Sequence, residues 1–419
     1  MKEKHIRGGA ADLFKEEWSE LWIPSRDCGL RQLEEFLPRA GRKYSNERNY
    51  DRGPNARDNV SSLSPWIRHR LLSEEEVVKA VLARFSFSTA EKFVQEVFWR
   101  SYFKGWLEQH PSVWEHYRND VGRFIDELQH DKGLLMNYEA AVNGNTDFEC
   151  FNSWVRELSD TGYLHNHARM WFASIWIFSL KLPWVLGADF FLRHLIDGDV
   201  ASNTLGWRWV AGLHTKGKMY LARRENIYKF TEGRFDPENL CKVYNPLNET
   251  SVHPTVPLST PDKIPEREFI LLITEDDCLG GLNFLESNCS GAIGFAAPGL
   301  RSQLNVSDKV KDFTTAAVLD ALNSLGAAET CLAQDYEELV DLLQGKRASS
   351  GISEIVAMEP TTGPIKTCLM ELKETLSREG INLLLIRRNY DSLVWPHASR
   401  GFFKVKKKLP EFLSTLKPN

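Results

Sequence analysis

The stretch Leu195 to Trp209, LIDGDVASNTLGWRW, sets two aspartates two residues apart, an asparagine four residues after the second, and two tryptophans at its end. Carboxylates and an amide at that spacing are hydrogen-bonding groups, and beside aromatic rings they suit a flat, polar ligand. Two arginines sit in nearby aromatic helical stretches, Arg100 in FWRSYF and Arg169 in HNHARM. Burying Arg169 is costly without a carboxylate, and LIDGD supplies two. A structural ion pair needs one arginine and one aspartate. It leaves the second aspartate, Asn203 and the adjacent tryptophans unexplained.

A flavin ring accounts for them: it presents N3–H, carbonyl oxygens and N5 along one edge and otherwise favours apolar walls. A second polar stretch, YSNERNYDRGPNARDNVSSLSPWIRHRLLSEEE (44–76), runs through NVSSLSP into a helix. Ser61, Ser62 and Ser64 can cap that helix. Alternatively, helix-entry N–H groups and these hydroxyls, with Arg48, Arg52 and Arg57 close in sequence, can hold a phosphate without a glycine-rich loop. Metal and serine hydrolysis lack their residues, since HExxH, zinc-type Cys/His spacing and GxSxG are absent. His165 and His167 lie two apart, which on a helix points them to different faces and disfavours a metal site.

These residues need elements to position them. The chain has 419 residues, long for one core, and its 42% hydrophobic and 26% charged content is that of a globular protein. Runs such as SEEEVVKAVLARF (73–85) and STAEKFVQEVFWRSYFKGWLEQH (88–110) place apolar residues three and four apart, and Ser88 with Glu91 forms a capping-box pattern. An all-α domain over 1–240 is expected, then a proline-rich linker over 241–267 and an α/β domain over 268–419. In the last, FILLIT (269–274), AIGFAA (292–297), EIVAME (354–359) and NLLLIR (382–387) alternate with helical segments. That rhythm predicts a Rossmann-like, doubly wound parallel sheet of about five strands. Neither GxGxxG after its first strand nor GxxxxGK[ST] occurs.

Twelve of the thirteen tryptophans precede residue 210, so the chemistry is expected in the helical part. The longest apolar stretch, MWFASIWIFSLKL (170–182), is too short to span a bilayer. Seven scattered cysteines fit reduced thiols, and the N-terminal stretch lacks a signal-type apolar core, so a cytoplasmic protein is expected. The net charge of −5 gives no global attraction to nucleic acid, so any such surface must be a local basic groove.

With these residues assembled, the stretch from about Tyr44 to Phe235 resembles the FAD-binding helical domain of the photolyase and cryptochrome superfamily. The motifs that carry the resemblance are YSNERNYDRGPNARDNVSSLSP, EVFWRSYF, DTGYLHNHARMWFAS, LPWVLGADFFLRHLIDGDVASNTLGWRW and ENIYKFTEGRF, in that order. The resemblance implies FAD as cofactor. Tyr44, Ser61, Ser62 and Ser64, with the backbone of Leu63, would hold the diphosphate and ribityl region, and Val60 replaces a common threonine. Arg100 would also serve the phosphates, and Asn166 would lie against the flavin. Arg169 and Asp197 would pair beside the ring, Asp199 would address its polar edge, and Asn203 would address N5 as in photolyases.

The same resemblance implies a pocket for DNA containing pyrimidine dimers. Glu96 would hydrogen-bond the dimer, Trp99 and Trp209 would stack on it, and Met170 would floor the pocket, while His167 and Tyr163 replace a common arginine and tryptophan. Excited reduced flavin would split the dimer by electron transfer, the alternative being a blue-light photoreceptor or redox flavoprotein without repair. Trp207 and Trp184 match the first two members of a tryptophan chain. VGRFIDELQHDK offers no third, and Trp176 or Trp154 are substitutes. Phosphate contacts are expected from Lys104, His167, Arg208, Lys216, Lys218, Arg223 and Arg224. The two modules stand in the reverse of the family's usual order, and no antenna chromophore is assigned.

Overall fold

The computed structural model describes residues 22–215, 217–243, 247–280, 288–326 and 331–416. Among these, the regular elements from Arg26–Phe36 to Arg224–Phe230 are helical, and strands begin at Phe269. Ser73 opens helix Glu74–Arg84 with a complete capping box to Glu76, and three glutamates in the first turn face the positive end of the helix dipole. Ser86 opens the central helix, Phe87–Glu108, by accepting from Thr89 N. The box expected at Ser88 and Glu91 is therefore not the start. The extended backbone of Ser86 brings its hydroxyl to the first turn, which begins one residue before Ser88.

Five parallel strands, β1 (Phe269–Thr274), β2 (Cys289–Phe295), β3 (Cys331–Ala333), β4 (Glu354–Met358) and β5 (Asn382–Ile386), form one sheet in the order β3-β2-β1-β4-β5. The β1 side chains alternate between two cores. Phe269, Leu271 and Ile273 join a cluster with Val310, Phe313 and Ala317, while Ile270 and Leu272 join Leu339, Leu343, Ile365 and Leu369. Each fully buried side chain of this size contributes roughly 1.5–3 kcal/mol. The first cluster also contains Phe36, Tyr44, Phe98 and Phe412, so helices and sheet share one core.

A doubly wound sheet opens a crevice where its strand order reverses, at the carboxyl ends of β1 and β4. Here the turn Arg68-His69-Arg70 meets the acidic run Glu275-Asp276-Asp277 that follows β1. His69 Nδ1 donates to Glu275 O (2.8 Å), Cys278 N donates to His69 O (2.8 Å), and Arg68 pairs with Asp276 (2.7 Å). Arg70, at φ +49°, donates from Nη2 to both Asp391 oxygens at 2.8 and 2.7 Å and pairs with Asp277. Such buried cations are tolerable only when paired, and here the pairing fixes the helices against the sheet. Beside it, a cleft of about 300 Å³ opens at the ends of β4 and β5, lined by Ser73, Glu75, Ile264, Met358, Ile386 and Asn389 among others.

The segment between helices and sheet runs across the helices. Glu249 accepts two bonds from Arg208 (2.6 Å each), Thr255 meets His110 (3.0 Å), and Val256 N donates to Gln109 O (2.8 Å). Among the described residues no helix is long and apolar enough to cross a membrane.

Candidate flavin and substrate site

Asp51 organises the loop that leads to the serines. It accepts from Gly53 N (3.0 Å), Trp154 Nε1 (3.1 Å) and Arg234 Nη2 (2.7 Å), and Gly53 sits at φ +86°, where a side chain is strained. Asn59 Nδ2 ties the loop down by donating to the carbonyls of Glu47 and Tyr50 at 2.8 Å. Helix Ser64–Arg68 then starts from Leu63 without a side-chain cap. The serines therefore do not act as its caps. Ser61 Oγ lies 3.5 Å from Leu63 N, Ser62 sits at φ +53° with its buried hydroxyl unpartnered, and Ser64 donates to Asp197 Oδ2 at 2.5 Å. Tyr44 is buried edge-on to Phe36 and Phe93, and that burial pushes its hydroxyl pKa far up.

Arg169 donates from Nε to Leu164 O (3.0 Å) and from Nη2 to Asp197 Oδ2 (2.8 Å). The buried Asp197 Oδ1 has no partner. Arg169 also lies 5.1 Å from the Tyr163 ring centroid, and Arg57 lies over the same ring at 4.6 Å. Arg57 bonds Glu157 at 2.8 Å, yet its buried Nε and Nη1 are unpartnered. Asp199 starts helix Val200–Val210 by accepting from Ser202 N at 2.7 Å. Burial alone would raise its pKa, but Lys104, Arg100 and Arg68 hold it well below the usual carboxylate range. Asn203 Nδ2 donates to Ala188 O at 2.8 Å, and Arg100 has Nε and Nη2 buried without partners.

Unmet polar groups of this kind cost about 1–3 kcal/mol each when buried. Ser62, Arg57, Arg100 and Asp197 thus offer unmet donors and an unmet acceptor, the chemistry that a cofactor with phosphates and a polar ring edge satisfies. The residues fit FAD.

On the substrate side, Glu96 pairs with Arg48 at 3.0 Å, and burial pushes its carboxyl up while Arg48 and Lys92 pull it down. Trp99, one turn along the same helix, stacks at 3.9 Å and 14° on Phe402, which takes one face of the indole expected to meet a base. Trp209 is 36% exposed and stacks on Tyr220 at 5.9 Å. Met170 is half-buried and Asn166 exposed on helix Asn166–Ser174.

The basic groove differs from expectation. Lys104 is buried against Glu74 (3.0 Å) and Arg208 against Glu249, because cations so enclosed must pair internally. His167 bonds Asn49 O and stacks on Trp171 at 4.1 Å, and burial lowers its pKa. Arg224 pairs with Asp236 (2.5 Å). Lys218 and Arg223 are exposed, and Lys216 lies outside the described residues.

Trp207 is buried with Trp176 edge-on at 6.2 Å and Phe191 at 5.2 Å. Gly187 makes this approach possible, since a Cβ there would lie 2.3 Å from the Trp207 ring. Trp184 packs on Tyr117 (5.7 Å) and under Arg208 (6.0 Å). Trp154 stacks on Trp171 at 5.6 Å.

Sequence reasoning named Arg57 only as one of three loop arginines, and no spacing distinguishes it from Arg52. Phe402 was missed because its partner lies three hundred residues earlier, beyond any local pattern.

Residues 93–250 match the FAD binding domain of DNA photolyase. The deoxyribodipyrimidine photo-lyase of Streptomyces griseus is 32% identical over 206 residues, 46% of this chain and 43% of that protein. Cryptochrome DASH of Idiomarina loihiensis is 29% identical over 197 residues, 45% of this chain and 42% of that protein. A crystal structure of a bacterial class III photolyase from Agrobacterium tumefaciens shares 24% identity with a TM-score of 0.43, covering 53% of this chain and 45% of that one. The chain thus spans less than half the length of these relatives. Glu96, Arg100, Arg169, Asp197, Asp199 and Asn203 fall in the matched segment, whereas Tyr44 and Ser61 to Ser64 precede it. Residues 93–250 thus match an FAD binding domain of the kind found in DNA photolyase, and the cofactor is FAD.

Proposed function

We propose that the protein is a light-driven DNA repair flavoprotein that splits pyrimidine dimers. The observation that carries this reading is the sequence of side chains on helix Phe87–Glu108, where Glu96, Trp99 and Arg100 follow one another within little more than a turn. One rigid element thereby joins the cofactor side, where Arg100 Nε and Nη2 are buried without hydrogen-bond partners, to a half-buried acid and an indole. Residues 1–240 are read as the FAD-binding module, 241–267 as its connection and 268–419 as the α/β module.

In this reading Tyr44, Ser61, Ser62, Leu63, Ser64 and Arg100 hold the diphosphate and ribityl portion, and Asn166 lies against the ring. The Arg169–Asp197 pair stands beside the ring, Asp199 takes its polar edge and Asn203 its N5. When bound and reduced, FAD supplies the light-driven electron that opens the cyclobutane ring and is returned at the end, with no net redox change.

The lesion must leave the base stack to enter the pocket, and Trp99 and Trp209 provide its aromatic walls over Met170. Glu96, whose carboxyl burial pushes up against the pull of Arg48 and Lys92, would hydrogen-bond the dimer as negative charge develops there.

A second reading, a photoreceptor or redox flavoprotein that keeps the pocket without repair, is favoured by Phe402 on the face of Trp99. Binding separates the two. FAD-loaded protein should hold a dimer-containing oligonucleotide more tightly than the same undamaged sequence, and Glu96→Ala should narrow the difference. Equal affinity for both oligonucleotides would contradict repair.

A further inference from the structure

We infer that the C-terminal helix, Phe403–Thr415, is a DNA-backbone contact of this protein, placed at the rim of the pocket by the Trp99–Phe402 stack. The inference rests on the repair reading.

The helix is amphipathic, and its apolar side is fixed. Val405, Leu409, Phe412 and Leu413 are buried, and Phe412 stacks on Phe98 of helix Phe87–Glu108 at 6.1 Å. Phe402, the residue before the helix, is stacked on Trp99 at 3.9 Å, so the helix begins beside the proposed substrate wall. Its other side is cationic, from the run KVKKK (404–408) and the preceding Arg400. Lys406 reaches Glu91 at 3.4 Å and Lys408 pairs with Glu411 at 2.6 Å. Arg400, Lys404 and Lys407 are exposed, and among the described residues none of the three makes an ion pair. Phe403, beside Phe402, is 76% exposed.

An exposed aromatic among cations without ion-pair partners is the combination that binds a nucleic-acid strand: phosphates meet the cations and an unpaired base stacks on the ring. The overall charge of −5 means that attraction to DNA must be local. Two cations that sequence reasoning assigned to the groove, Lys104 and Arg208, are held in buried ion pairs. The C-terminal helix supplies positive charge beside Trp99, through the Phe402 stack, from a part of the chain outside the matched segment 93–250.

The test is a salt series. FAD-loaded wild-type protein and the triple variant Arg400→Gln/Lys404→Gln/Lys407→Gln are titrated with a fluorescent dimer-containing single strand, reading anisotropy. Each phosphate contact contributes about 0.7 to the slope of log K against log salt, so the variant's slope should become shallower by about 2 and its low-salt affinity should fall at least tenfold. Phe403→Ser alone should lower single-strand affinity about tenfold with an unchanged slope. The FAD spectrum and thermal midpoint should match wild type, since these side chains face solvent. DNA binding that ignores the triple substitution overturns this inference alone. Absence of DNA binding by the wild-type protein at low salt overturns the repair reading together with it.

Discussion

Arg169 donates through Nη2 to Asp197 Oδ2 at 2.8 Å, while Oδ1 of the same buried carboxylate is left without a partner. Half of the carboxylate is thus committed to the protein and half is available to a ligand. Asp197→Asn keeps the shape and removes the charge that balances Arg169. Apo-protein stability should fall by about 1–3 kcal/mol in denaturant titration, less than for a fully buried pair because Arg169 retains some exposure. FAD affinity of the variant should fall at least tenfold, about 1.4 kcal/mol. Unchanged FAD affinity would remove this pair from the cofactor site.

Arg57 differs from its loop neighbours in being enclosed, with two guanidinium nitrogens unpartnered. Arg57→Met alone strands Glu157 in a buried position and should destabilise the fold by roughly 3 kcal/mol. Pairing it with Glu157→Gln should restore most of that stability. If Arg57 contacts FAD, the stable double variant should still bind FAD more weakly than wild type in an apo-protein titration. Wild-type affinity in the double variant would leave Arg57 with a structural role only.

Trp207 meets Trp176 edge-on at 6.2 Å, while Trp184 packs on Tyr117 at 5.7 Å. Under steady blue light with an external reductant, Trp207→Phe should slow FAD reduction most, and Trp176→Phe should slow it at least tenfold if electrons enter by that route. A Trp176→Phe variant that reduces normally, beside a Trp184→Phe variant that does not, would place the route through Trp184. Gly187→Ala should act on the same readout by displacing the Trp207 ring.

Much of the architecture was legible because it rests on local patterns. The helices follow the three-and-four spacing of apolar residues, and four of the five strands follow short apolar runs. The fifth, Cys331–Ala333, has only three residues, too few for any periodicity to register. The pairing of Arg169 with Asp197 was legible because a buried arginine demands a carboxylate and LIDGD offered one. The fate of Lys104 and Arg208 was not, since exposure is a tertiary property and a basic residue reads alike whether it faces DNA or a buried glutamate. Nor could sequence bring Phe402 to Trp99, or the turn Arg68-His69-Arg70 into the crevice of the sheet.

Burial, with Arg208 adding to it, pushes His214 down to about 4, and burial with Arg193 does the same to His194. An unfolded histidine titrates near 6.5, so between about pH 6.5 and 4 the unfolded chain binds more protons than the folded one. Stability should be level above about pH 6.5 and fall below it, by up to about 1.4 kcal/mol per pH unit for each histidine. Denaturant titrations from neutral to acid pH check this. His214→Gln, which retains an acceptor for the Tyr102 hydroxyl, should flatten the fall, and an unaltered slope would show that His214 does not contribute.

The central claim is tested by illumination. FAD-loaded protein, reduced and kept anaerobic, is mixed with an oligonucleotide carrying a cyclobutane thymine dimer, and the return of thymine absorbance is followed under blue light and in the dark. Light-dependent recovery over many turnovers is expected, with none in the dark and a slower rate for Glu96→Ala at equal FAD loading. Full flavin reduction and bound DNA without any recovery of thymine absorbance would contradict it.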